Sequence, residues 1–213
     1  MIMKKLFLFS ILVLMSVATF AQPKPLDEAQ SNELVAVLTQ ATASIKTMEC
    51  KFTQTKQMAM LAEPTKAEGT MQYVAPDKIR WEYVSPYVYA LVVNGDQITM
   101  QSETKTDKVD AKTNRMYKGI SDIIMGSVTG KKLFDKSAFD VKLYDDGETW
   151  FAELKPLKKD VKRMFSMLAF RFDKKSNLVC GVEFTEISGD VTHIQFNDMV
   201  IDKPIDESLF QLQ

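Results

Sequence analysis

The sequence predicts a mainly β fold: a curled antiparallel sheet with helices over its mouth. Three observations carry this. Alternation of apolar and polar residues at period two recurs in about ten short stretches. Clusters of turn-forming residues separate those stretches. Two further stretches have helical spacing, each with one apolar stripe that must lie on an apolar face.

The chain begins with Lys4 and Lys5, a predominantly apolar run over 6–15, and "SVATFA". A positive start, a short apolar core and small residues at the end predict a secretory signal peptide over residues 1–21. About 16 apolar or small residues fall short of the roughly 20 that span a bilayer. Cleavage after Ala21 leaves Gln22 first, with no cysteine nearby to carry a lipid. The expectation is an exported, periplasmic, soluble single domain over 22–213.

Residues 27–46 have helical spacing, with Leu34, Leu38, Ala41 and Ile45 on one stripe and Asp27 and Glu28 in the first turn. The period then changes to two. Strands are expected at 49–57, 69–74, 78–84, 88–93 and 97–102. Asn94-Gly95 between the last two is a strong hairpin signal. Pro76 and Pro86 fall between strands, where they remove no ladder hydrogen bond. Residues 103–115 read as a polar connector. Residues 116–128 form a short helix striped by Ile120, Ile123, Ile124 and Val128, with Met125 at its edge. Strands resume at 139–144, 149–154, 164–172, 178–187 and 191–200, in an expected meander. A twisted sheet of that many strands tends to curl or close.

Composition narrows the function classes. The chain has 27 Lys and Arg against 28 Asp and Glu. Residues 1–21 hold two lysines and no acid, so the mature balance is 25 against 28, or −3. A nucleic-acid binder needs a basic surplus. Cys50 and Cys180 are the two cysteines; they can pair after export or pack as buried thiols, and spacing does not decide. His193 is the single histidine and sits mid-strand, which excludes a histidine-rich zinc site. No nucleophile elbow, metalloprotease helix or phosphate loop is present, so no catalytic residue is assigned. The basic run "KPLKKDVKR" at 155–163 reads as a solvated loop, with a docking patch as the alternative.

The informative feature is one face of the first five strands. In "DKIRWEYVSP" at 77–86, Ile79, Trp81 and Tyr83 point one way, while Lys78, Arg80 and Glu82 point toward solvent. Phe52, Met71, Tyr73, Leu91, Val93, Ile98 and Met100 extend the apolar face. It reads either as an ordinary sandwich core or as the wall of a partly unfilled concavity for an apolar ligand. Methionine adapts to ligands of variable shape.

"FTQTK" at 52–56, "GTMQYVAPDKIRWEY" at 69–83 and "SPYVYALVVNGDQI" at 85–98 resemble the LolA family of periplasmic lipoprotein carriers. The likeness is clear over about 30–130 and topological beyond. It implies an unclosed β-barrel of about ten to eleven strands, with helices as a lid over a hydrophobic cavity. It places Phe52, Met71, Tyr73, Ile79, Trp81, Tyr83, Leu91, Ile98 and Met100 at the lipid, and Ile120, Ile123, Ile124, Met125 and Val128 on the lid. It implies a monomeric, non-enzymatic chaperone without cofactor or metal. Its partners are acylated lipoproteins, an inner-membrane lipoprotein-releasing ABC transporter, and an outer-membrane receptor or the outer membrane itself. A carrier of another acylated product, or a lipid or lipoprotein sensor, is the alternative. One departure is Ala75, where some members place a basic residue that latches the lid.

Overall fold

The computed structural model describes residues 22–130 and 133–211, so the expected signal peptide lies outside the described residues. The chain order begins β1 (Lys24–Pro25), α1 (Glu28–Ala43), β2 (Thr47–Gln57), β3 (Thr65–Val74), β4 (Lys78–Ser85), β5 (Tyr89–Asn94), β6 (Gln97–Ser102) and β7 (Thr106–Asp110). It continues with α2 (Arg115–Thr129), β8 (Phe139–Asp145), β9 (Thr149–Pro156), α3 (Lys159–Lys162), β10 (Phe165–Asp173), β11 (Val179–Glu186), β12 (Val191–Ile201) and a 3-10 turn (Glu207–Phe210). The described strands form one antiparallel sheet of twelve, in the order β1-β8-β9-β10-β11-β12-β2-β3-β4-β5-β6-β7. β1 and β7 are its two edges, so the sheet curls without closing.

This order corrects the expected single meander. β2–β7 and β8–β12 are two meanders joined where β12 pairs with β2, and α2 carries the chain from one edge toward the other. β7 lies inside the stretch expected to be a polar connector. Its "TDKVD" lacks apolar alternation because it has one strand neighbour, and charged side chains suit an edge that must not recruit another strand. β1 is too short to show a period. The basic run at 155–163 is not wholly loop: it contains α3, whose Val161 is buried.

The inner face is built from cross-strand rows. Met48, Tyr73, Ile79, Val93 and Ile98 stand side by side in one row; Cys50, Met71, Trp81, Leu91 and Met100 form the next; Phe52, Gly69, Tyr83 and Tyr89 form a third. Gly69 is required in that third row. A Cβ there would stand 2.4 Å from Phe52 Cζ and 2.1 Å from the Glu82 carbonyl oxygen, so the Phe52 ring fills the space.

α1 starts at Asp27, whose carboxylate accepts from the Gln30 backbone N–H while Gln30 Oε1 accepts from the Asp27 N–H. Asp27 is thus the cap and not a first-turn residue. The helix buries Leu34, Leu38 and Thr42. α2 is capped by Asn114, whose Oδ1 accepts from the Met116 and Tyr117 N–H groups. It ends at Gly130, where φ is +63°. Ala41 is only half-buried, and Thr42 takes the inward position beside Gly130.

The outer face of β4 is not open to solvent as its charges suggested. The C-terminal turn lies across β4 and β5 and buries Phe210. Arg80 Nη1 donates to the Leu209 carbonyl at 3.1 Å and its Nε to Glu82 at 2.9 Å, leaving the Arg80 side chain 13% exposed. Val92, Ala90 and Thr99 are buried on the same side. No helix among the described residues is long and apolar enough to cross a membrane.

Candidate functional site

A cavity of about 270 Å³ lies between the two wings of the sheet. Its floor is the central pair: Gln54 of β2, and Thr192, Ile194 and Phe196 of β12. Trp81, Tyr83, Tyr89 and Leu91 of β4 and β5 form one wall. Phe165, Val182, Phe184 and Glu186 of β10 and β11 form the other, and Ile120, Ile123 and Ile124 of α2 form the roof. The lining is overwhelmingly apolar.

The aromatic side chains lock this lining in place. Phe52 and Trp81 stack with centroids 4.4 Å apart, and Tyr83 meets the Phe52 ring edge-on at 5.2 Å. Trp81 reaches Phe196 across the floor at 5.8 Å, also edge-on, which joins the two wings. Phe165 and Phe184 pair at 5.6 Å on the far wall. Such pairs add about 0.5–1.5 kcal/mol each beyond burial.

Polar atoms at the site are few. The Tyr83 hydroxyl donates to Gln54 Oε1 at 2.9 Å. Burial pushes the Tyr83 phenol up to about 12, so it stays neutral. Glu186 accepts from Lys56 Nζ at 2.6 Å, which draws its carboxylate toward the rim. Among the described residues no group of three or more His, Cys, Asp or Glu side chains is placed to hold a metal ion. His193 lies on the outer face, its Nδ1 3.0 Å from Glu183 Oε2 on the neighbouring strand.

The structure distributes the sequence-selected residues over three environments. Trp81, Tyr83, Leu91, Ile120, Ile123 and Ile124 border the cavity. Phe52, Met71, Tyr73, Ile79, Ile98 and Val128 are buried in the closed core around it, and Met100 is half-buried beside Leu91. Met125 faces a separate cleft bordered by Pro76, Asp77 and Gly95. Ala75 donates its N–H to the Lys46 carbonyl and packs at the edge of the core. The far wall and the β12 part of the floor were missed. Phe165, Phe184, Ile194 and Phe196 alternate in β10–β12 as Trp81 and Tyr83 do in β4, and the pairing of β12 with β2 is what turns them toward the same space.

The cysteines do not pair. Cys50 is buried on the inner face, where burial and the neighbouring Glu49 carboxylate push its thiol up to about 12. Cys180 is half-exposed, with Sγ 3.5 Å from the Arg171 carbonyl.

Comparison with known proteins identifies relatives in sequence and in fold. A protein of Methylobacillus flagellatus described as an outer-membrane lipoprotein carrier protein is 26% identical over 169 residues, covering 79% of this chain and 78% of its own. A carrier protein of the same description from Nitrosomonas europaea is 24% identical over 169 residues, covering 78% and 77%. An uncharacterised conserved protein from Thermus thermophilus shares the fold at a TM-score of 0.54 and 8% identity, covering 86% of this chain and 95% of that one. The family model for the outer membrane lipoprotein carrier protein LolA matches residues 43–213. The chain therefore belongs to the LolA family.

Proposed function

We propose that this protein is a periplasmic, non-catalytic carrier that takes lipoprotein acyl chains beneath α2 and ferries them toward the outer membrane. The observation that carries the reading is the apolar cavity between two sheet wings, roofed by a helix that offers three isoleucines to it. Family membership supports the lipoprotein as cargo.

The cavity volume sets the mechanism. About 270 Å³ lies just under the roughly 300–1,000 Å³ of pockets that enclose drug-sized ligands. Two or three long acyl chains do not fit while α2 stays in place, so loading displaces α2. The balance of energies permits this. Each apolar side chain that α2 buries is worth about 1.5–3 kcal/mol, and Ile123 and Val128 are nearly fully buried. Each acyl CH₂ removed from water contributes about 0.8 kcal/mol, so one long chain exceeds about 10 kcal/mol. Two or three such chains together outweigh what α2 buries, so lipid wins the exchange, and α2 returns a share of that energy when the lipid leaves. Competition for one apolar face shields the cargo and also keeps the net affinity low enough for release. In this reading Trp81, Tyr83 and Leu91 touch acyl chains. Phe52, Met71 and Ile79 hold that wall in position. An inner-membrane lipoprotein-releasing transporter supplies the cargo, and an outer-membrane receptor or the membrane itself accepts it.

A release assay tests the reading. Spheroplasts retaining a newly made lipoprotein are incubated with the purified processed protein. The expected result is lipoprotein in the supernatant, in a one-to-one complex. Lipoprotein that stays in the membrane under conditions where a known carrier releases it would overturn the proposal.

A further inference from the structure

The two rims of the sheet differ in chemistry. The β2–β3, β4–β5, β9–β10 and β11–β12 connections share one rim, tied together by hydrogen bonds from Ala59 N–H to Asp190 Oδ1 and from Ile187 N–H to the Met164 carbonyl. Of the eleven exposed large apolar side chains among the described residues, seven stand here. Met60 and Leu61 are in the β2–β3 loop; Met60 is 96% exposed. Val84, Tyr87 and Val88 flank the β4–β5 turn, Ile187 begins the β11–β12 turn, and Leu157 opens the β9–β10 connection. The opposite rim, formed by residues 75–77, 95–96, 146–148 and 174–178, carries none of the eleven; Ile201, ending β12, and Leu209, in the 3-10 turn bonded to Lys78 and Asn94, stand near it. Water-exposed apolar tips gathered on one rim leave much of their surface unpacked and mark a contact surface.

Charge specifies the partner. Residues 155–163 present Lys155, Lys158, Lys159, Lys162 and Arg163, all exposed, against the single acid Asp160. None of the five lies in a salt bridge among the described residues, and this surplus of four positive charges sits in a chain whose net charge is −1. Apolar tips beside such lysines suit a surface of acidic headgroups over hydrocarbon. The cavity lies at this rim: Tyr89 and Phe165 are the first residues of their strands and Glu186 the last of its own. Tyr87 at the tip stacks on Tyr83 in the wall at 5.5 Å, so the exposed apolar surface runs into the cavity lining.

We propose that this rim docks on an anionic lipid bilayer, with the apolar tips in the interface and the basic 155–163 segment against acidic headgroups, so that the cavity opens onto the membrane. The role of the docked state rests on the carrier reading; docking itself does not, and is measured on the cargo-free protein.

Flotation with vesicles of phosphatidylethanolamine and phosphatidylglycerol (3:1), beside vesicles of pure phosphatidylcholine, is the test. The processed protein should float with the anionic vesicles, and 0.5 M salt should release it. Changing Lys158, Lys159 and Lys162 together to Glu should weaken binding by about tenfold or more, given the roughly additive attraction of each basic side chain to an acidic surface. Met60→Asn with Leu61→Asn, which adds no charge, should also weaken binding, while Ile201→Asn at the other rim should leave binding unchanged. Thermal melts confirm that the three variants, all at exposed positions, stay folded. No flotation with anionic vesicles, or equal flotation of all variants, would overturn the proposal. So would capture by a detergent-solubilised membrane protein with no affinity for protein-free vesicles. A fluorescent fatty acid binding normally to a protein that fails to float would sink the docking idea alone and leave the carrier reading standing.

Discussion

Ile79 and Leu91 stand one row apart on the same face of the sheet, yet glutamate at the two sites should have opposite consequences. Ile79 is fully buried between Tyr73 and Val93. Replacing it forfeits about 1.5–3 kcal/mol of burial. The new carboxyl has no water, and holding it protonated at pH 7.5 against an ordinary value near 4.3 costs about 4 kcal/mol more at 1.36 kcal/mol per pH unit. The sum, about 6–7 kcal/mol, is most of the roughly 5–15 kcal/mol by which domains are stable. Ile79→Glu should fail to accumulate or melt far below the parent. Leu91 is half-buried and borders the cavity, so a carboxylate there keeps contact with water. Leu91→Glu should cost about 1–2 kcal/mol, a fall in melting temperature of about 2–8 °C for a chain of this size. It should also weaken a fluorescent fatty acid by at least about tenfold, because each acyl chain must then desolvate a charge. Circular dichroism and probe titration read both outcomes. A Leu91→Glu variant as unstable as Ile79→Glu would show the wall to be closed core. A folded one that binds the probe normally would place acyl chains elsewhere.

Three further outcomes are expected. Gly69→Ala should destabilise by about 1–3 kcal/mol or more in a urea melt, because its Cβ meets both the Phe52 ring and the Glu82 backbone; no change would mean the β3–β4 bulge relaxes freely. Ile124→Ser should loosen α2 and raise the binding of an apolar dye; unchanged dye binding with a loss of about 2–5 kcal/mol would make α2 plain core. Cys50 should resist thiol reagents in the native state, while the denatured, unreduced protein takes up about two equivalents. Since folding raises the Cys50 value from near 9 to about 12, stability present below pH 9 should fall as pH rises from 9 to 12, and Cys50→Ala should flatten that fall.

The sheet was legible because ten of its strands are short apolar-rich stretches, most with a period of two and turn chemistry between them, and α2 because its isoleucines recur at helical spacing. What escaped lacks a local signal. β7 is polar because it is an edge, β1 has two residues, and α3 is one turn inside a run of lysines. Half of the site escaped for a different reason. Phe184 and Phe196 alternate as plainly as Trp81, but their place around the cavity depends on β12 pairing with β2, a contact between chain segments well over a hundred residues apart. Arg80 misled in the other direction. Its charge suggests solvent, yet its guanidinium holds the C-terminal turn that covers it, and nothing near residue 80 in the chain announces that partner.

The space under α2 should hold the acyl chains of a lipoprotein. Mass spectrometry of the intact protein isolated from the periplasm tests it most directly. The expected spectrum holds a population heavier by one acylated lipoprotein, dissociated by organic solvent, and absent from a folded Leu91→Glu variant. Protein that carries no acylated partner, or a Leu91→Glu variant that carries one as the parent does, would contradict it.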